Sequence, residues 1–177
     1  MDIVFFGTPD IAAQVLAGLI ESEHNVTACV TQPDRAKGRS KELISSPVKK
    51  LALCHGIDVL QPEKASDEYF MDMLEVIGAD IFVVAAYGEK IPNRLLEMPQ
   101  YGCINVHPSL LPKYRGAAPI PAAILAGDKV TGVTIMNMAE KMDTGDILLQ
   151  QEIPVSDYET VRTLEKKCSD AAIGMLK

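Results

Sequence analysis

Short unbroken apolar runs alternate with amphipathic stretches along this chain, and the period of each stretch names the element it predicts. Residues 3–6 are apolar without a break, the pattern of a strand buried on both faces. Thr8, Pro9 and Asp10 then have the residue types of a helix start: Thr8 as N-cap, Pro9 at the first helical position, Asp10 in the first turn. Ile11, Val15, Leu16 and Leu19 recur at helical spacing, which predicts a helix to about residue 21. Further strands are predicted over 26–30, 57–60, 80–85 and 103–106. Helices are predicted over 47–55, where Pro47 opens and Gly56 closes, over 67–77, over 119–125, and as a short turn over 92–96. Residues 131–138 alternate and read as a strand, with 147–153 as its antiparallel partner. A last helix begins near Thr160, with Val161, Leu164, Cys168, Ala172 and Met175 at helical spacing. Residues 32–45 show no period, hold Pro33, Gly38 and many charges, and read as a long functional or disordered loop.

Strand and helix in succession imply an α/β fold with a Rossmann-like, mostly parallel sheet and helices on both faces. Ligands of such sheets bind beyond the carboxyl ends of the strands, so residues 85–92 and 105–119 should border the crevice. The first turn reads Gly7-Thr8-Pro9-Asp10-Ile11-Ala12. It lacks the Gly-x-Gly-x-x-Gly spacing that lets a backbone approach a pyrophosphate, which argues against a nicotinamide dehydrogenase.

A length of 177 residues fits one domain. No apolar run approaches the roughly 20 residues of a membrane helix, and the start, Met1-Asp2-Ile3, reads as a first strand with no basic leader. Cys29, Cys54, Cys103 and Cys168 are scattered, as expected of reduced thiols that mostly fill the core of a cytoplasmic protein. The three histidines have no ligand-like spacing, so no metal site is expected. A net charge of −7 argues against nucleic-acid binding over the whole surface. The charge is uneven, however. Arg35, Lys37, Arg39 and Lys41 fall within seven residues with no acid among them, and Lys49 and Lys50 follow. Charge alone leaves two readings of this segment open, a solvated loop and a local phosphate contact.

The residue types richest in chemistry are Asn105, His107 and Asp143. Positions i and i+2 of a strand share a face, so Asn105 and His107 can point into one cleft. Asp143 stands in the turn Met142-Asp143-Thr144-Gly145-Asp146. An amide that donates to a developing oxyanion, an imidazole that moves protons and a carboxylate that supports the imidazole suit acyl transfer without a covalent enzyme intermediate. Taken singly, His107 also fits a half-buried structural histidine and Asp143 a turn residue before Gly145.

Asn105-Val106-His107 leads into Pro108-Ser109-Leu110-Leu111-Pro112-Lys113-Tyr114-Arg115-Gly116-Ala117-Ala118-Pro119. With Phe6-Gly7-Thr8-Pro9-Asp10, Gln32-Pro33-Asp34-Arg35, Ala85-Ala86-Tyr87-Gly88 and Asp143-Thr144-Gly145-Asp146, the chain resembles the 10-formyltetrahydrofolate-dependent formyltransferases along nearly its whole length, and within them the methionyl-tRNA formyltransferases. The resemblance implies formyl transfer from 10-formyltetrahydrofolate to methionyl initiator tRNA through a non-covalent tetrahedral intermediate, with Asn105, His107 and Asp143 catalytic. It places the folate at Ser109, Leu110, Leu111 and Pro112 and at Tyr87, Gly88, Glu89, Lys90, Ile91 and Pro92. It gives Arg35, Lys37, Arg39 and Lys41 to tRNA, in a basic segment expected to be mobile without RNA. Arg115 reads as a loop-fixing ion pair.

The related glycinamide ribonucleotide formyltransferases carry a glycine- and serine-rich loop after the first strand, which is missing here. Two positions depart from the pattern: Ala36 replaces a common proline, and Pro121 stands where a polar or bulky residue is usual and bears on the start of its helix. The resemblance also implies a second, β-barrel tRNA-binding domain, so residues 1–177 read as the catalytic domain alone. A cytoplasmic monomer with no metal and no membrane contact is expected. Alternatives are another acceptor for the same donor, an amino sugar nucleotide or water, and a catalytically weak folate- or RNA-binding module.

Overall fold

The computed structural model describes residues 1–36 and 43–177. Seven strands form one sheet: β1 (Asp2–Gly7), β2 (Asn25–Val30), β5 (Asp58–Leu60), β6 (Ile81–Ala85), β7 (Cys103–His107), β8 (Val130–Asn137) and β9 (Ile147–Pro154). Their order is β5-β2-β1-β6-β7-β8-β9. The first five run parallel, and β8 and β9 are added antiparallel at one edge. The chain turns to opposite sides of β1, with β2 on one flank and β6 on the other, so a crevice opens beyond the carboxyl ends of β1 and β6.

Alternation along each strand divides the core. One face carries Ile3, Phe5, Val83, Ile104, Val106, Val133 and Ile135. It packs on α1 (Asp10–Ile20) through Val15, Leu16 and Leu19 and on α6 (Val161–Leu176) through Leu164, Cys168 and Ala172. The other face carries Val4, Phe6, Phe82, Val84 and Cys103 and packs on Phe70, Met71 and Leu74 of α3 (Glu68–Ile77). Helices α2 (Pro47–Cys54), α4 (Asn93–Leu96) and α5 (Pro119–Leu125) complete the layers. Mostly parallel strands with helices on both faces match the expected α/β class.

Three local expectations are corrected. Thr8 does not cap α1. Pro9 is the N-cap residue, and the Thr8 hydroxyl instead donates to the Tyr87 carbonyl at 2.8 Å, tying the end of β1 to the segment after β6. The loop over 32–45 contains a small antiparallel pair, β3 (Arg35–Ala36) with β4 (Leu43–Ile44). Its base is held by Asp34, which accepts from Lys49 Nζ at 2.6 Å and Gln61 Nε2 at 2.8 Å, so this stretch is anchored where it leaves the sheet. Pro121 does not disturb its helix: it lies in the first turn of α5, where backbone N–H groups have no intrahelical partner to lose.

Candidate active site

The site begins where one apolar layer runs out. Along β7, Ile104 and Val106 enter the α1/α6 core, while Cys103, Asn105 and His107 face the other way. Cys103 still belongs to the apolar cluster, but Asn105 and His107 lie past its end. His107 is 4% exposed and Asn105 is half-buried, and the Asn105 amide makes no hydrogen bond among the described residues. The 139–146 segment folds back over this face, closed at its base where the Asn137 N–H donates to the Asp146 carbonyl at 2.9 Å. It brings Asp143, 9% exposed, to His107: Nδ1 lies 3.7 Å from Asp143 Oδ2. That gap is beyond a direct hydrogen bond. The carboxylate is positioned instead by the Gly116 N–H, which donates to Oδ2 at 2.7 Å. On its other side His107 Nε2 meets the Tyr114 carbonyl at 2.9 Å. The expected side-by-side placement of Asn105 and His107 with Asp143 close by is therefore what the chain builds.

The 108–118 segment wraps the same end of β7. Ser109 is fully buried, and its hydroxyl donates to the Lys113 carbonyl at 2.5 Å. The peptide between Leu111 and Pro112 is cis. Thr134, opposite His107 on β8, pins the segment: its hydroxyl donates to the Ser109 carbonyl at 2.7 Å and accepts from the Leu111 N–H at 3.2 Å. Gln150 on β9 adds bonds to the Leu111 carbonyl and to Thr134 Oγ1, at 3.0 and 2.9 Å. Leu110 lies over Gly132 of β8, where a β-carbon would come within 2.5 Å of its Cδ2.

The segment after β6 reaches the same crevice from the neighbouring strand. Ala86 and Gly88 have φ of +46° and +92°, which turns the chain sharply. Tyr87 does not present its ring to the crevice: it is 2% exposed and packs edge-on against Phe6, with centroids 5.5 Å apart. Burial, and then the Glu89 charge, push its hydroxyl pKa up. Glu89 accepts from the Ala65 N–H at 3.0 Å, Ile91 is buried, and Pro92 is the N-cap residue of α4. Gly88 and Lys90 are exposed, and the main-chain groups of 88–91 have no partners among the described residues. A polar ring edge placed here would meet free backbone donors and acceptors.

The basic segment stands apart. Arg35 is exposed and lies 3.6 Å from Glu63, on the far side of β1 and β6 from His107 in the sheet order. Lys37, Arg39 and Lys41 lie outside the described residues. Arg115 is exposed and forms no ion pair among the described residues, against the expectation of a loop-fixing pair. Its chain neighbours Tyr114 and Gly116 are the groups that bond His107 and Asp143.

Three thiols, Cys29, Cys103 and Cys168, are buried, and burial raises each pKa to about 12, so they are inert core groups, while Cys54 is exposed. Among the described residues no cluster of three or more His, Cys, Asp or Glu could hold a metal, and no helix is long and apolar enough to cross a membrane. A surface cavity of about 540 Å³ lies between β5 and α3, lined by Val59, Leu60, Tyr69, Met73 and Val76 with Asp58 and Asp72. It contains none of the candidate residues and lies away from the end of β7.

A family model described as formyl transferase matches residues 1–176. The chain belongs to the formyl transferase family. Among its relatives, a protein named methionyl-tRNA formyltransferase from Lachnospira eligens is 51% identical over 176 residues, covering 99% of this chain and 56% of its own length. One of the same name from Halalkalibacterium halodurans is 53% identical with the same coverage. The chain thus spans little more than half the length of these relatives. Among solved structures, a phosphoribosylglycinamide formyltransferase from Bacillus halodurans superposes with a TM-score of 0.78 at 25% identity, over 99% of this chain and 91% of that one. A formyltetrahydrofolate deformylase from Pseudomonas syringae shares the fold, with a TM-score of 0.76 at 20% identity over 98% of this chain and 57% of that one.

The geometry also exposes residues the sequence alone did not mark. Thr134 sits in the alternating β8, Gln150 in β9, and Tyr114 and Asp128 in loops. Nothing in their local pattern signals that Thr134, Gln150 and Asp128 hold the 108–118 segment or that the Tyr114 carbonyl meets His107.

Proposed function

We propose that this chain carries the formyl-transfer chemistry of a methionyl-tRNA formyltransferase, with residues 1–177 as the catalytic unit, 10-formyltetrahydrofolate as donor and the amino group of methionyl initiator tRNA as acceptor. The observation that carries the reading is the convergence of Asn105, His107 and Asp143 at the ends of β7 and the 139–146 turn, in a chain about half identical to relatives of that name.

In this reading the donor lies along 109–112 and the free backbone of 88–91, with its formyl group at Asn105. The acceptor amine attacks the formyl carbon, and the carbonyl electron pair moves to oxygen. The Asn105 amide, without a hydrogen-bond partner among the described residues, donates to that oxyanion. His107 and Asp143 take the proton released by the attacking nitrogen, and His107 delivers one to N10 as the carbon–N10 bond breaks. The products are formylmethionyl-tRNA and tetrahydrofolate, and no covalent enzyme species forms.

The acceptor is the finer part of the proposal. The fold is shared with phosphoribosylglycinamide formyltransferases and a deformylase. The 51–53% identity to the methionyl-tRNA enzymes and the basic segment at Arg35, Lys37, Arg39 and Lys41 favour tRNA. The deciding experiment offers labelled 10-formyltetrahydrofolate to the protein with charged initiator tRNA, phosphoribosylglycinamide, an amino sugar nucleotide or buffer alone. Label should pass to the tRNA. Replacing the four basic residues together should raise the tRNA KM and flatten its salt dependence, by a slope of roughly 0.7 to 0.9 for each phosphate no longer neutralised. Transfer to a small acceptor or to water in preference to tRNA would overturn the assignment.

A further inference from the structure

We infer that Asp128 is a positioning residue for His107: by clamping Lys113 and Tyr114 it keeps the Tyr114 carbonyl on Nε2, which fixes the imidazole tautomer and leaves Nδ1 as the working nitrogen. What Nδ1 does rests on the formyl-transfer reading; the tautomer is a property of the chain itself.

A main-chain carbonyl only accepts, so the ring nitrogen 2.9 Å from the Tyr114 oxygen must carry a proton. A neutral imidazole has one N–H, so its lone pair sits on Nδ1. Asp143 does not make this choice. Its Oδ2 is 3.7 Å from Nδ1, too far for a direct bond, and already accepts from the Gly116 N–H. The tautomer therefore depends on where the Tyr114 carbonyl points.

That carbonyl is not held by ordinary backbone preference. Tyr114 has φ of +57°, a conformation that side-chain-bearing residues adopt only when their surroundings impose it. The surroundings are specific. The Tyr114 hydroxyl donates to Asp128 Oδ2 at 2.8 Å, and Lys113 Nζ donates to the same oxygen at 2.7 Å. The Lys113 ammonium also lies 5.0 Å from the centre of the Tyr114 ring. Lys113, and then Tyr114, hold the Asp128 carboxyl below its usual range, so it is the charged form that closes the clamp. Asp128 is itself fixed at the end of α5, where its N–H donates to the Ala123 carbonyl at 3.1 Å, and its side chain is only 17% exposed. Among the described residues it makes no hydrogen bond or ion pair with His107 or Asp143. It acts on the ring through the bond it makes to Tyr114.

The test uses the protein labelled with ¹⁵N-histidine. The chain has three histidines, His24, His55 and His107, and a His107→Gln variant identifies the third signal by its loss. Long-range proton–nitrogen correlation at a pH where the ring is neutral should show His107 protonated on Nε2. Asp128→Ala should turn this into a mixture of tautomers, and Asp128→Asn, which keeps an acceptor oxygen, should retain the parental signal. In formyl transfer, kcat of Asp128→Ala should fall about tenfold or more, within the roughly 10²–10⁴ that a positioned acid–base group contributes, while the folate KM stays within about twofold. If Asp128→Ala does not fold, Tyr114→Phe deletes one bond of the clamp and should move the same signal in the same direction. A parental His107 protonated on Nδ1 would overturn the inference, as would clamp variants that fold and leave tautomer and kcat unchanged. A protein with no transfer to tRNA but the expected tautomer shift would refute the acceptor assignment and leave the positioning role standing.

Discussion

Gly145 packs so closely on Asn137 that a β-carbon at position 145 would lie 1.8 Å from the Asn137 carbonyl oxygen. No side chain fits there. This close approach fixes the 139–146 turn on the end of β8, and two residues earlier the turn presents Asp143 with φ of +51°. The carboxylate thus reaches His107 because position 145 is glycine.

Gly145→Ala should consequently push the turn off β8 and carry Asp143 with it. Overpacking of this kind typically costs about 1–3 kcal/mol. A lowered Tm together with a drop in kcat larger than the drop in folate affinity would support the account. A variant with parental Tm and turnover would show that the turn adapts and that Gly145 does not set Asp143.

Thr134 supports the 109–112 segment from beneath, and Thr134→Val keeps its shape while removing the hydroxyl. The Leu111 N–H and the Ser109 carbonyl are then left without a partner in a buried site, which costs about 1–3 kcal/mol. Equilibrium binding of a formyl-folate analogue should weaken in this variant, with catalysis at saturating donor affected less. If thermal shift by the analogue were unchanged, the segment would not be a donor contact.

Most of the architecture was legible because hydrophobic period reports burial directly: unbroken runs such as 3–6 lie in the parallel core, and 131–138 alternates because β8 has two different faces. Thr8 misled because capping chemistry and long-range bonding use the same hydroxyl, and only the fold brings Tyr87 within its reach. The β3–β4 pair was missed because two-residue strands are too short to show a period. Asn105 and His107 were readable from their i, i+2 spacing together with the motif that follows. The supports of the site were not. Thr134, Gln150, Tyr114 and Asp128 are brought together by bonds between residues 7 to 39 positions apart, which leave no local trace.

Acid stability should expose one further interaction. Glu159 accepts from Lys167 Nζ and from the Thr163 hydroxyl, both at 2.5 Å, and these bonds, the Lys167 one foremost, lower its pKa from about 4.5 to about 2. A carboxyl depressed in the folded state stabilises the fold above its unfolded value and loses that contribution as pH falls through the folded one. The stabilisation is therefore complete above about pH 4.5 and declines towards pH 2. Glu159→Gln should lower Tm near neutrality, where the stabilisation is complete, and its gap from the parent should close as pH falls towards 2, which flattens the acid limb of the profile. An unchanged acid slope would show that solvent screens the pair.

The account turns on Asn105 supplying the oxyanion donor beside His107, and single-turnover formyl transfer to methionyl initiator tRNA tests it most directly. Asn105→Ala should bind a formyl-folate analogue and charged tRNA as the parent does, yet transfer formyl about 10²–10³ times more slowly, the usual cost of removing one preorganised donor. A folded Asn105→Ala protein that transfers formyl at near-parental rate would contradict the assignment.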